Sequence, residues 1–406
     1  MNGGFMLTLD KIYDARRAIG AIVRRTDLIK TPLLANGCEL YLKPENLQFT
    51  GSFKLRGAAY KIARLTEEEK SHGVIACSAG NHAQGVALSA TKSGIKSIVC
   101  MPENAPIMKV EATRSYGAEV VLVPGVYDDA YSKAVELKNN FGYTFVHPFD
   151  DENVIAGQGT IALEILDDLP DSEVIVVPVG GGGLISGVAF AAKSINPNVK
   201  VYGVQAEGAP SMSEAIKAGK PIKLGGVSTF ADGIAVKEVG KLTYDVVSKY
   251  VDGIVTVSED EIASAILAML EKQKIISEGA GAVAFAAVKA GKIPCQNKKT
   301  VCVVSGGNID VNILSNVIER GLIASGRIHN LKIALPDRPG QLNAVTAAIA
   351  ENGGNVVTVH HERGKDAFNL NGCNLDITIE TRDAAQIEKI DSALRRRGYN
   401  IIKTEY

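Results

Sequence analysis

Four consecutive glycines, Gly180, Gly181, Gly182 and Gly183, stand between an apolar run ending at Val179 and a helical pattern beginning near Leu184. Successive glycines let backbone N–H groups turn toward one point, and at a helix N-terminus that arrangement grips phosphate. No Lys-Ser/Thr follows, so this is not a Walker loop, and no Gly-x-Gly-x-x-Gly follows the first strand. Lys54, in Ser52-Phe53-Lys54-Leu55-Arg56-Gly57-Ala58, offers a primary amine at the start of a helical pattern. A flexible turn and a solvated lysine are the plain accounts of each feature taken alone. Together, an amine for a Schiff base and a grip on phosphate are what pyridoxal phosphate requires of a protein.

Two more polar loops follow apolar strands: Ser78-Ala79-Gly80-Asn81-His82 after Cys77, and Ser305-Gly306-Gly307-Asn308 after Val304. The lysine segment, Ser78–Gly85, Gly180–Gly183 and Ser305–Asn308 resemble, in the same order, the motifs of fold-type II pyridoxal phosphate enzymes. With Val154-Ile155-Ala156-Gly157-Gln158-Gly159-Thr160 they are most similar to the threonine and serine dehydratases, over residues 5–325. The resemblance implies a two-lobed, tryptophan synthase β-like α/β unit with parallel sheets. Its implied reaction is α,β-elimination of L-threonine to 2-oxobutanoate and ammonia, with side activity on L-serine. It also implies Lys54 as the catalytic Schiff-base lysine, with Phe53 beside it, and Gly180–Gly183 closed by Leu184 around the phosphate. Asn81 would face the cofactor's 3′-oxygen, and Ser305 would hydrogen-bond its pyridine nitrogen. Ser78, Ala79, Gly80, Asn81 and His82 would receive the substrate carboxylate at a helix N-terminus.

The neutral Ser305 hydroxyl bears on reaction type. It cannot hold a ring nitrogen protonated as a buried carboxylate would, which suits elimination better than transamination. A turn cap is the plain alternative for Ser305, and a structural helix start for His82. Glu278, in Ser277-Glu278-Gly279, either orients cofactor or substrate or caps a helix. Related racemases place a second serine where Ala79 stands, and Ala79 offers no acid or base. Their divalent-cation site begins with a Glu, which Glu207 matches, but Ser213 replaces the later carboxylate; no divalent metal is expected, and a monovalent ion is the alternative. A serine dehydratase or racemase is the nearest alternative, and a non-catalytic amino-acid sensor the alternative of another class.

The elements that must position these loops follow from the chain's rhythm. Its 406 residues suit two or three domains at about 150 residues each. A net charge of −1 argues against a nucleic-acid or membrane-surface protein relying on bulk charge. No apolar run is long enough for a membrane helix, and Met1–Phe5 carries no signal-peptide pattern, so a cytoplasmic protein is expected. Six scattered cysteines without a C-x-x-C pair read as reduced core residues, not disulfides or zinc ligands. Strands are expected at Gly73–Cys77, Ser97–Met101, Glu119–Val123, Glu173–Val179, Val199–Gln205 and Lys299–Val304. Helices are expected at Asp129–Asn140, Gly159–Asp168 and Glu259–Gln273. That alternation predicts parallel sheets with ligands beyond the strands' carboxyl ends.

The expected catalytic unit is 1–325, with a smaller lobe at roughly 50–148 inserted in the larger, then a linker at 326–330 and a module at 331–406. In that module a strand at Leu331–Leu335, a helix at Gly340–Asn352, strands at Val356–Arg363 and Asn374–Thr381, a helix at Asp383–Arg397 and a strand at Asn400–Lys403 give the ferredoxin-like βαββαβ order. Leu331–Leu342 resembles the opening of an ACT domain. Asp337, Arg338, Pro339, Gly340 and Leu342 form a turn at a helix start suited to a small carboxylate. The resemblance implies an amino-acid effector, isoleucine or valine, and a homodimer or homotetramer. Arg395–Arg397 is a solvated helix end.

Overall fold

The structure is a computed structural model that describes residues 7–32, 37–363 and 372–402. Met1–Phe5 and Lys403 lie outside the described residues. The chain divides into two compact units, Met1–Asp310 and Val311–Tyr406. The helix Val311–Ala324 therefore groups with the second unit, ahead of the 326–330 segment read as a linker.

The β-branched runs of the first unit form two sheets. The larger has six strands in the spatial order Ile29–Thr31, Glu39–Pro44, Lys299–Val304, Val174–Pro178, Lys200–Ala206 and Gly253–Val257. All neighbours are parallel except the antiparallel edge strand Ile29–Thr31. Val174–Pro178 is buried at every residue, as a parallel sheet covered on both faces requires. The smaller sheet has four parallel strands in the order Glu119–Val123, Ser97–Pro102, Val74–Cys77 and Thr144–Phe145. All four come from one stretch of chain lying between two strands of the larger sheet, so the smaller lobe is an insertion.

Two strands of the larger sheet carry no clear periodicity. Glu39–Pro44 hides a fully buried lysine, Lys43, and Gly253–Val257 is half-buried along most of its length. A third departure is the helix expected at Gly159–Asp168, which begins earlier, at Glu152, so that Gly157-Gln158-Gly159 lies inside it. The glycines serve packing there. A Cβ on Gly157 would stand 2.5 Å from the Arg56 carbonyl oxygen and 2.7 Å from Gly57 Cα. One on Gly57 would meet Gln158 Nε2 at 2.3 Å. The helices Lys54–Ala63 and Glu152–Asp168 can approach this closely only without those side chains.

Beside that contact, Arg56 is fully buried between two carboxylates. Its Nε and Nη2 donate to Glu45 at 2.7 and 2.8 Å, and its Nη1 and Nη2 to Glu164 at 2.7 and 2.8 Å. Lys43 Nζ reaches Glu164 at 2.6 Å and also donates to the Thr26 carbonyl. Burial opposes the charge on Glu164, but Arg56 and Lys43 outweigh it and hold its pKa below the usual carboxylate value.

The second unit carries the βαββαβ order on an antiparallel sheet, arranged Asn355–Arg363, Gly372–Glu380, Ile328–Pro336, Asn400–Ile402. Leu375, Ile377 and Ile379 alternate into a core against the helices Gln341–Glu351 and Ala384–Arg396. Among the described residues no helix is long and apolar enough to cross a membrane. All six cysteines are buried, and among the described residues none forms a disulfide.

Because the groups facing Gly157 are backbone, Gly157→Ala is expected to destabilise the first unit by about 1–3 kcal/mol, the cost of overpacking a filled contact. Urea unfolding measures it, and an unchanged midpoint would contradict the close approach.

Candidate active site

Lys54 opens the helix Lys54–Ala63. Its Nζ donates to the Pro148 carbonyl at 2.8 Å and lies 5.3 Å from the centre of the Phe53 ring. Burial lowers the pKa of the amine to about 8, with the Glu278 carboxylate pulling weakly the other way. A buried lysine held by a carbonyl and not by a carboxylate keeps a share of neutral, nucleophilic amine near neutral pH.

The lysine and serine loops are stitched together through the backbone. Phe53 N–H donates to the Ser305 carbonyl at 3.1 Å, Ser52 pairs with Gly306 as an antiparallel bridge, and Gly307 N–H donates to the Gly51 carbonyl at 2.9 Å. Asn308 adds a side-chain tie: its Nδ2 donates to the Thr50 carbonyl at 2.7 Å and to Asn81 Oδ1 at 2.8 Å. Gly51 has φ +70, and a Cβ there would meet Asn308 Oδ1 at 2.3 Å. Asn81, the first residue of the helix Asn81–Lys92, donates through Nδ2 to Glu278 Oε1 at 2.8 Å. Its amide is thus fixed from both ends, with Oδ1 accepting and Nδ2 donating.

Glu278 occupies the N-cap position of the helix Gly279–Lys289 but makes no capping hydrogen bond. Its carboxyl instead lies against Gly306, where a Cβ would come within 2.3 Å of Oε1. Burial first, and then the nearby Asp232 carboxylate, push its pKa up to about 8. The reading of Glu278 as a simple cap is therefore excluded by geometry. Ser305, also buried, donates from Oγ to the Ala280 carbonyl at 3.3 Å.

The glycine run ends where the helix Gly183–Ile195 begins, with Gly182 at φ +97 as its N-cap. The N–H groups of a helix's first turn have no intrahelical acceptor, so they remain for an anion. The Gly182 carbonyl accepts the first helical bond, from Ser186, and Thr243 Oγ1 donates to the Gly181 carbonyl at 2.6 Å. A Cβ on Gly181 would meet the Phe149 ring at 2.5 Å, and one on Gly183 would meet Phe149 Cα at 2.9 Å. Leu184 is buried at the start of the helix. These residues fit pyridoxal phosphate: a buried amine, a tight glycine loop at a helix start, an amide fixed at both ends and a neutral hydroxyl.

Over the helix Asn81–Lys92, a Cβ on Gly80 would meet nothing within 4 Å, so the space above this N-terminus is open. The Ser78 N–H is used in the sheet, donating to the Cys100 carbonyl at 3.3 Å, and the Gly80 N–H donates to Ser78 Oγ at 3.2 Å. The helix's own first N–H groups, at Asn81 and His82, are those an anion would meet. The His82 ring is spent elsewhere: Nε2 pairs with the Val146 carbonyl at 2.8 Å, and burial pushes its pKa down to about 3. Glu207 follows the strand Lys200–Ala206, 3.6 Å from Lys292 Nζ, and the Ser213 N–H donates to Gln205 Oε1 at 2.9 Å.

Sequence reasoning missed the segment Val146–Asp150. Its carbonyls hold His82 and Lys54, its Phe149 covers the glycine loop, and Asp150 accepts from the N–H groups of Lys241 and Thr243 at 3.2 and 3.1 Å. The His147 ring supports the turn, its Nδ1 accepting from Phe149 and Asp150 N–H at 3.2 and 2.8 Å.

Residues 19–306 match the family described as pyridoxal-phosphate dependent enzymes, and residues 329–399 match the ACT domain. The chain is 50% identical to an L-threonine ammonia-lyase of Thermotoga maritima over 98% of this chain and 99% of that one. It is 46% identical to one of Geobacter sulfurreducens over 97% and 98%. Among solved structures it is similar to processed threonine deaminase isoform 2 of Solanum lycopersicum, with TM-score 0.73 and 39% identity over 77% of this chain and 89% of that one. Maize serine racemase gives TM-score 0.73 and 35% identity over 78% and 98%.

The raised Glu278 pKa has a stability consequence. Between pH 4.5, the ordinary carboxyl value, and about 8, the folded protein keeps a proton that the unfolded chain has released. Stability therefore falls as pH rises through this window, and the full penalty is present above it. Glu278→Gln in the cofactor-free chain is expected to be more stable than the parent above pH 8 and to converge with it toward pH 4.5. Thermal melts across that range give the result, and parallel curves for the two proteins would contradict it.

Proposed function

The chain belongs to the pyridoxal-phosphate-dependent enzyme family, with an ACT domain behind the catalytic unit, and from that premise we propose that it is a lyase converting L-threonine to 2-oxobutanoate and ammonia. The observation that carries the proposal is Lys54, a buried amine hydrogen-bonded to the Pro148 carbonyl, among the asparagine, glycine and serine loops. Near-complete alignment with L-threonine ammonia-lyases supports the substrate.

Pyridoxal phosphate, when bound, supplies an aldehyde that captures an amine and a ring that withdraws electrons from Cα. The chain's residues do the rest. The first N–H groups of the helix Asn81–Lys92 receive the substrate carboxylate, with Ser78, Ala79 and Gly80 forming the loop above them. Lys54, with its pKa near 8, takes the proton from Cα as general base. The Cα–H and Cβ–O bonds break, water leaves, and hydrolysis of the released enamine yields the 2-oxo acid and ammonia. Gly180–Gly183 and Leu184 hold the phosphate, Phe53 flanks the amine, and Asn81 is oriented by Glu278 and Asn308. Ser305 contributes a hydroxyl without negative charge, which favours prompt loss of the β-hydroxyl over a long-lived carbanion.

L-serine is the expected secondary substrate, since one methyl group gives only about 1–3 kcal/mol of discrimination. Ala79 brings no acid or base to the site, which disfavours racemisation. The ACT domain supports control by an amino acid: Asp337, Arg338, Pro339, Gly340 and Leu342 line one cavity, with Gly340 at φ +89 as N-cap of Gln341–Glu351. A cytoplasmic homo-oligomer, dimeric or tetrameric, completes the proposal.

Lys54→Ala is expected to abolish 2-oxobutanoate formation from L-threonine and the visible absorbance of lysine-bound cofactor, while the far-ultraviolet circular dichroism stays unchanged. Turnover retained by that variant would overturn the assignment. Millimolar isoleucine or valine is expected to inhibit the parent enzyme, and flat activity across both would remove the effector reading.

A further inference from the structure

Three ligand types of different chemistry meet at one end of the C-terminal sheet. Asp337 lies in the turn after Ile328–Pro336, His361 near the end of Asn355–Arg363, and Cys373 near the start of Gly372–Glu380. Leu335 pairs with Cys373, and His361 pairs with Leu375. Paired residues in an antiparallel ladder share a face, and alternate residues along a strand return to it. Leu335, Cys373 and Leu375 belong to the core between sheet and helices, so His361 stands on that same face, beyond the point where the core ends. Asp337 and His361 are exposed, whereas Cys373 is buried. The carboxylate oxygen, imidazole nitrogen and thiol sulfur all lie within 4.8 Å of one another.

We propose that Asp337, His361 and Cys373 form a binding site for a divalent transition metal of the zinc class. Zinc takes sulfur, nitrogen and oxygen ligands at about 2.0–2.3 Å, which puts tetrahedral ligand atoms roughly 3.3–3.7 Å apart. Side-chain rotation at the two exposed positions, Asp337 and His361, would have to close the remaining distance. A thiolate and a carboxylate balance the charge of a divalent ion, and a neutral imidazole adds none. Three protein ligands leave a fourth position open. All three line a cavity of about 360 Å³, shared with Arg338 and Gln341, which gives that position room for water or a small ligand. No spacing motif announces the site, because each ligand comes from a different strand or turn. Cys373, read from sequence as a core thiol, is its least exposed member. The proposal does not rest on the effector reading, since metal binding is measured with no amino acid present.

The test uses the full-length chain, stripped with chelator and kept reduced, titrated with Co²⁺ alone and then with Zn²⁺ by equilibrium dialysis. One Co²⁺ per chain is expected, with a thiolate-to-cobalt charge-transfer band that Zn²⁺ abolishes. His361→Ala and Asp337→Asn should each weaken binding by about tenfold or more. Cys373→Ser should lose the band. The two exposed variants leave the core intact, and unchanged melting temperatures separate lost binding from unfolding. No charge-transfer band in the parent chain, or a band and affinity that survive in both His361→Ala and Cys373→Ser, would overturn the proposal.

Discussion

Arg56 sits two residues beyond the lysine and is held by Glu45 and Glu164, with Lys43 completing a buried set of two cations and two anions. Such a cluster is electrically balanced only when all four members are present. Losing one partner of a buried pair leaves an uncompensated charge that costs about 3–5 kcal/mol. The cluster also fixes geometry, because Arg56 grips both carboxylates through paired donors in a planar fork. Glu45 follows the strand Glu39–Pro44 and Glu164 lies in the helix Glu152–Asp168, so the helix bearing Lys54 is tied to the larger lobe at a single orientation. The close approach at Gly57 and Gly157 depends on the same registration. The role proposed for Lys54, nucleophile and base in turn, calls for presentation from a rigid platform.

The second layer of support comes from Val146–Asp150, the return of the chain from the smaller sheet. Lys54 faces a carbonyl there, which accepts its hydrogen bond without neutralising its charge. A carboxylate in that position would have raised the amine's pKa and kept it protonated. Glu278 is close enough to be felt electrostatically but is hydrogen-bonded to Asn81, and its own burial favours its neutral form. Burial thus depresses the charge of both the amine and the acid, while each weakly favours the charged form of the other.

Much of this was legible in the sequence because the site loops combine glycine with polar residues just after apolar strands, where a parallel sheet presents its ligands. The rest escaped for physical reasons. Gly157 and Gly159 read as chain breakers, yet tertiary close packing overrides that preference inside a helix. Glu39–Pro44 carries a lysine whose burial depends on Glu164, far away in the chain, so no local pattern reveals it. Val146 and Pro148 act through carbonyl oxygens, which every residue type possesses, and composition cannot mark them. Asn308 lay within a motif that resemblance had identified, but its tie between the lysine and asparagine loops exists only in the folded chain.

The larger sheet places Glu39–Pro44 beside Lys299–Val304, so strands from the two ends of the first unit are direct neighbours. During synthesis the early strand has no parallel partner on this side until nearly the whole unit has emerged. The smaller sheet, drawn from one continuous stretch, can form well before. Non-local parallel pairing is slow and leaves edges exposed to aggregation in the interim. Lys54 and Ser305 lie on opposite sides of that delayed closure, so a nascent chain stalled before residue 299 has the strands of the inserted lobe but lacks half of the proposed catalytic centre.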